Sequence, residues 1–396
     1  MRTRNMAAFL LLAVVLSLVC AGCGPEPVGT GAIEGWVMRN VDAKGASAGA
    51  KQPMIVMGAA PKVGSYVGLD GARVLVERSG RQYVGYTDTG GYFRIGGLRA
   101  GTYSVTITHA RFLDSYRTWC DVRDGQTTGI GARTLGSLHI LVIGINNYTT
   151  PVNPLQYATP DAEYFHQVLG QENNLAKQVV LLTDEQATRS GIESAIRSMG
   201  EEIFPGDTFM MFYSGHGAQS SDGTTEYIVP QDYNGSSSSL ISDAQLNALV
   251  DAYIYADHCV FVFDSCHSGG MYRAASAWLP KGFTRSTGFE VMAKNLSSRG
   301  FIVITACDKD EVSWEDSQLG HGVFTYQFVG GMREPGYYAD GAFQVGPRDG
   351  EISTEEAFRY AEYYVNDWMN KNPGKVQTPT IYRGLSGAEV WGMFRY

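Results

Sequence analysis

The stretch HCVFVFDSCHSGG, residues 258–270, decides how the rest of the chain is read. Cys259 to Phe263 is an unbroken apolar run, as expected of a strand buried on both faces. The chain then turns polar through Asp264, Ser265, Cys266, His267 and Ser268 and reaches two glycines. Four more runs carry the same mark: LHILVIGI (138–145), QVVLL (178–182), DTFMMFYSG (207–215) and FIVITAC (301–307). Helical segments are predicted between them, near Asp161–Leu169 and Arg189–Met199. Another helix after Ile352 opens on a capping box of Ser353 and Glu356, and it places Phe358, Ala361, Val365 and Trp368 on one face. Buried strands alternating with helices predict an α/β fold, a mostly parallel sheet with helices on both sides.

In open parallel sheets, sites form beyond the carboxyl ends of the strands. Two of the predicted strands end in reactive residues. FMMFYSGHG supplies Ser214, His216 and Gly217, and FVFDSCHSG supplies Asp264 and Cys266. If these strands are neighbours, His216 and Cys266 meet at one edge. A free thiol, with a pKa of about 8.5, is mostly protonated at neutral pH. An adjacent imidazole can take its proton and return it to a leaving amine. The backbone N–H groups of Gly217 and Cys266 are the candidate donors to a tetrahedral oxyanion. Each residue has a plainer reading: His216 as a satisfied core histidine, Cys266 as an inert buried thiol, Asp264 as a helix cap, and Asp161 as a first-turn helix acid. The two motifs together favour the nucleophile–base pair.

SGHG (214–217) followed by DSCHSG (264–269) resembles the caspase–metacaspase group of cysteine peptidases. LVIGINNY (141–148), PLQYATPDAEYF (154–165), ITACDKDEVSWED (304–316) and HGVFTYQFVGGM (321–332) extend the resemblance over 138–396. It implies a caspase-like fold and hydrolysis of peptide bonds through His216 and Cys266. From the metacaspase pattern, Asp161 and Asp264 are implied as carboxylates of the substrate pocket, with Ser214 as their polar neighbour. Such a pocket prefers Arg or Lys before the scissile bond. The sequence departs from the best-known metacaspases at Ala158, where they carry a cysteine. Many metacaspases bind calcium after the histidine motif. Asp222, Glu226, Asp232 and Asp243 are available here, but the paired acids expected near Asp243 are Ala244 and Gln245. The expectation is therefore no cofactor, with calcium activation open but not favoured.

From about Ala32 to Leu135 short β segments alternate with glycine-rich turns. Thr87, Asp88, Gly91, Phe93, Ile95, Leu98, Gly101 and Tyr103 fall on the pattern of the carboxypeptidase regulatory-like family, a small transthyretin-like β-sandwich. A long insertion from about Val41 to Gly68 reads as a mobile loop. The first residues, with Arg2 and Arg4 before an apolar run from Met6 to Val19, read as a signal peptide. That peptide ends in Cys-Ala-Gly-Cys, which resembles a bacterial lipobox and implies lipidation of Cys23 in an exported, membrane-anchored protein. The expected organisation is 1–23 leader, 24–135 sandwich and 136–396 peptidase domain, with a loop at 270–300 between its two halves.

That loop carries Arg273, Lys281, Arg285, Lys294 and Arg299, and self-cleavage after one of them is a further expectation. The net charge of −9, with no basic stripe, argues against nucleic acid. Cys120, Cys259 and Cys307 read as small core residues. The expected partners are protein substrates with basic residues and, through the anchor, a membrane; the oligomeric state is open. The rival reading is a catalytically idle caspase-fold binding module at the cell envelope.

Overall fold

The computed structural model describes residues 29–41, 65–109, 112–149, 152–172, 176–204, 206–256, 258–267, 278–286, 288–333, 351–384 and 392–395. Residues 1–23, expected as a leader ending at Cys23, lie outside the described residues. Two four-stranded sheets form the first half. In one, β1 (Gly31–Val41) pairs antiparallel with β2 (Ser65–Gly68) and β5 (Tyr92–Leu98), and parallel with β8 (Thr127–Thr134). In the other, β4 (Arg81–Tyr86), β3 (Arg73–Arg78), β6 (Gly101–His109) and β7 (Phe112–Val122) are antiparallel in that order. Alternation along the strands turns Val74, Val76, Val105 and Ile107 inward against Ile33, Val37, Phe93 and Ile95, which closes a sandwich core.

The turn motif has a physical role in this sandwich. The Thr87 hydroxyl donates to the Leu69 carbonyl (2.5 Å) and accepts from the Ala72 amide (2.8 Å). Asp88 Oδ1 accepts from the Gly90 and Tyr92 amides, both at 2.9 Å. Gly91 adopts φ 76°, and a β-carbon there would stand 2.2 Å from the Val37 carbonyl oxygen. One expectation is corrected: the ends of the Val41–Gly68 insertion are not loop. Val41 closes β1 and Ser65–Gly68 forms β2, because their backbones pair across Val41↔Ser65 to Met38↔Gly68. Residues 42–64 lie outside the described set.

The second half is built on a six-stranded sheet. Its order is β10 (Ala176–Thr183), β9 (Leu138–Gly144), β11 (Thr208–Ser214), β15 (His258–Asp264), β18 (Ile302–Thr305) and β22 (Thr380–Arg383). The first five strands are parallel and β22 is antiparallel. Ile140, Val142, Met210, Phe212, Val260 and Val262 face one layer, made by α1 (Ala158–Phe165), α5 (Val323–Arg333) and α6 (Thr354–Lys371). Leu141, Ile143, Met211, Tyr213, Phe261 and Phe263 face the other, made by α2 (Arg189–Gly200), α3 (Asp243–Tyr253) and α4 (Glu290–Ser297). The capping box of α6 is formed: Ser353 Oγ accepts from the Glu356 amide (3.1 Å) and Glu356 Oε2 from the Ser353 amide (2.7 Å). The predicted helix near Asp161–Leu169 is α for its first part only and widens into a π turn over His166–Glu172.

Short strands gather beyond the carboxyl edge of this sheet. β12 (Gly217–Ser220) lies between β13 (Glu226–Ile228) and β17 (Phe283–Ser286), and β13 pairs in turn with β14 (Ile241–Ser242). β16 (Cys266–His267) runs parallel to β19 (Ser313–Asp316), which turns back antiparallel onto β20 (His321–Gly322). Elsewhere β21 (Glu351–Ser353) pairs with β23 (Gly392–Arg395). The expected loop at 270–300 is thus corrected for its described part. It holds β17 and α4, the latter because Met292, Ala293 and Leu296 bury one helical face. Arg273 lies outside the described residues. Among the described residues no helix is long and apolar enough to cross a membrane.

Candidate active site

β11 and β15 are neighbours in exact register at their ends, with Ser214 opposite Asp264. The chain leaves both strands together, and the Gly215 amide donates to the Asp264 carbonyl (3.1 Å). Gly215 is required by close approach, since a β-carbon there would stand 2.7 Å from the hydroxyl oxygens of both Tyr148 and Tyr213. Those hydroxyls clamp the next residue. The His216 amide donates to Tyr148 Oη (2.7 Å), and Tyr213 Oη donates to the His216 carbonyl (2.7 Å).

The His216 side chain is 1% exposed and lies between the rings of Tyr148 and Trp278. Its Nε2 is 2.8 Å from the Asn153 carbonyl oxygen, and its Nδ1 is 2.7 Å from Arg285 Nη2. The carbonyl can only accept and the guanidinium can only donate. The ring is therefore neutral, with its proton on Nε2 and its lone pair at Nδ1. Nδ1 is the nitrogen able to receive a proton, and in this conformation Arg285 is hydrogen-bonded to it. β17 delivers Arg285 to that place by pairing it with Ala218, two residues after His216.

Cys266 follows Asp264 by two residues and lies in β16, opposite Ser313 of β19. Of Cys266 and His267 only the backbone is described. Gly217, expected as an oxyanion donor, lies inside the β13–β12–β17 ladder. Its lack of a side chain answers a packing need, because a β-carbon would stand 2.6 Å from the Ser286 carbonyl oxygen and 2.8 Å from the Phe289 ring.

The residues implied for the substrate pocket converge. Asp264, Asp161 and Ser214 are each 0% exposed. Among the described residues Asp264 caps no helix, and it accepts from Ser313 Oγ (2.7 Å) at Oδ1 and from Thr325 Oγ1 (2.6 Å) at Oδ2. Asp161 does lie in the first turn of α1, and its Oδ1 also accepts from the Gly322 amide and from His321 Nδ1, both at 3.0 Å. Burial pushes its carboxyl up to about 6, against the His321 hydrogen bond and with help from the Asp264 charge.

Glu315, on β19, was not singled out by sequence. Burial, then the charges of Asp161 and Asp264, push it up to about 8 against one hydrogen bond from the Tyr157 backbone. Asn153, Trp278, Arg285 as a histidine partner, and His321 were likewise not assigned site roles. SWED and HGVFTY lay within segments that carried the resemblance, but no spacing tied them to Asp161.

The acids available for calcium have separate engagements. Asp222 accepts within its own turn from Ser220 and Thr224, and Asp232 accepts from the Arg189 amide (2.8 Å). Buried Glu226 holds Ser286 Oγ (2.7 Å) and the Met292 amide (2.9 Å), and Asp243 is bonded by Asn295. Among the described residues, no group of three or more His, Cys, Asp or Glu is placed to hold a metal ion, so these acids do not fit one calcium site. Cys259 and Cys307 are buried in the core, and Cys120 is half-buried against the sandwich core.

Residues 138–387 match the caspase domain family model and residues 65–134 the carboxypeptidase regulatory-like domain. The chain belongs to the caspase domain family, a group of cysteine peptidases, with a carboxypeptidase regulatory-like sandwich before that domain. Among its relatives are metacaspase-1 of Ajellomyces capsulatus, 27% identical over 47% of this chain and 54% of that protein, and metacaspase-1 of Schizosaccharomyces pombe, 29% identical over 41% and 42%. Metacaspase-7 of Arabidopsis thaliana is 29% identical over 42% and 45%. The chain spans about half the length of the curated relatives it matches. Similar solved structures include a Geobacter sulfurreducens protein (TM-score 0.43, 19% identity, 64% of this chain and 97% of that chain) and pro-sf-caspase-1 (TM-score 0.37, 11% identity, 63% and 92%).

Proposed function

We propose that the protein is a cysteine endopeptidase that cleaves after Arg or Lys. The observation that carries this reading is His216: its Nε2 is tied to Asn153, and its Nδ1, where Arg285 is bonded in this conformation, lies at the sheet edge from which the Cys266 segment leaves. In the proposed reaction Nδ1 takes the Cys266 proton and the sulfur attacks the peptide carbonyl carbon. The oxyanion is held by the Gly217 and Cys266 amides. The C–N bond then breaks, and the proton passes from Nδ1 to the departing amine. Water, deprotonated by the same nitrogen, hydrolyses the thioester and restores the thiol. Asp161 and Asp264, beside Ser214, attract the basic side chain of the substrate. No step draws on a metal. An anchor at Cys23, with 24–135 as spacer, would keep this domain at the cell envelope.

The test uses protein lacking residues 1–23, under reducing conditions, with fluorogenic peptides ending in Arg, Lys or Asp, with and without calcium. Cleavage after Arg or Lys that Cys266→Ala abolishes is the expected result. Cleavage after Asp keeps the nucleophile and overturns the pocket. The Arg285 contact at Nδ1 favours one rival, a latent or idle domain that acts by binding. No turnover, with no labelling of Cys266 by a thiol-directed probe, would decide for that rival.

A further inference from the structure

We propose that Glu315 is a third specificity-determining carboxylate of this pocket and faces the basic side chain that precedes the scissile bond. The inference rests on the reading above and adds a residue that the resemblance did not imply.

One short strand links every part of the pocket. β19 lies parallel to β16, with Ser313 opposite Cys266. Ser313 Oγ holds Asp264 (2.7 Å). Two residues on, Glu315 lies opposite Gly322 across β19–β20, and the Gly322 amide holds Asp161 (3.0 Å). Glu315 is thus fixed between the two pocket acids, on the strand beside the nucleophile's segment. Asp161 and Asp264 each accept from donors of the protein at more than one point. Glu315 receives one hydrogen bond, from the Tyr157 backbone, and among the described residues its buried Oε1 has no partner. A buried acceptor left unmet is costly, and a guanidinium or ammonium entering the pocket would meet it.

The electrostatics give this occupant a signature. The charged groups facing Glu315 are Asp161 from α1 and Asp264 from β15. His321 of β20 is turned to Asp161. Buried, and with two acids as neighbours, Glu315 has its carboxyl pushed up to about 8. A substrate cation favours the ionised form, so binding expels the carboxyl proton. Affinity for a basic substrate therefore rises with pH until the free group ionises.

Paired substrates ending in Arg or in neutral, near-isosteric citrulline test this directly. Wild type should prefer Arg, with kcat/KM for Arg relative to citrulline rising from pH 6 to pH 8. In Glu315→Gln the Arg-to-citrulline ratio should fall about tenfold, mainly through KM, and its pH rise should flatten. Glu315→Asp, which keeps the charge, should restore the pH rise. An unchanged ratio and slope in Glu315→Gln, or no restoration by Asp, overturns the role of Glu315 and leaves the basic-residue reading standing. A wild type with no preference for Arg removes that reading itself, and this inference with it.

Discussion

Asp161 is fully buried, and its carboxyl is pushed from 3.8 up to about 6, chiefly by burial. For an acid with a raised folded-state pKa, the folded protein keeps a proton that the unfolded chain has already lost. Its contribution to stability is complete below about 3.8 and is lost as pH rises through about 6. Asp161→Asn removes this decline. The variant should match wild type near pH 4 and exceed it at pH 7 by roughly 1–3 kcal/mol, read by urea unfolding at both pH values. It should also lose discrimination for Arg and Lys. A variant less stable at pH 7 would mean that the bonds from Gly322 and His321 to the carboxylate outweigh its burial.

At the scale of elements, β17 matters most, because it carries Arg285 to His216 Nδ1. A thiol proton and a guanidinium N–H compete for the same lone pair. Removing the guanidinium in Arg285→Ala should raise kcat/KM by roughly tenfold, the worth of one charge-assisted hydrogen bond. The rate of Cys266 alkylation should rise in parallel. A fall in both would mean that Arg285 orients the ring rather than occupying it.

This strand was not legible in the sequence, for a physical reason. The sheet strands announce themselves by apolar runs, and α6 by its capping box, but β17 has four residues and no period to read. α4 starts at Phe289 in the left-handed region (φ 48°) and has no side-chain cap. α5 contains Gly330 and Gly331, poor helix formers, and a β-carbon on Gly331 would come within 2.8 Å of Tyr360 of α6. The site follows the same division. His216 and Cys266 end runs that identify themselves, whereas Asn153, Trp278, Arg285 and Glu315 reach the site only through tertiary pairing.

At the scale of the whole molecule, the junction sets how the two halves are joined. Leu135 is buried in the sandwich core and Leu138 opens β9, so two residues separate the cores. Both are stitched down. The Ser137 amide donates to Asp207 Oδ1 (2.7 Å), and the Ser137 carbonyl accepts from the Thr208 amide (2.9 Å). Gly136 packs so closely that a β-carbon would stand 1.6 Å from the Gly206 carbonyl oxygen. This joint enters the sheet at the amino end of β9, and the site lies beyond the carboxyl ends. A chain tethered ahead of the sandwich would thus hold the peptidase by the edge opposite its site, leaving that site open to substrates. Gly136→Ala forces backbone apart on both sides of the joint. It should cost roughly 1–3 kcal/mol, read as a lowered midpoint in thermal unfolding. Limited proteolysis should cut faster between the halves, while kcat/KM of the folded protein should change less than about twofold. Unchanged unfolding and proteolysis would show that the halves are joined by a slack tether rather than by this packed joint.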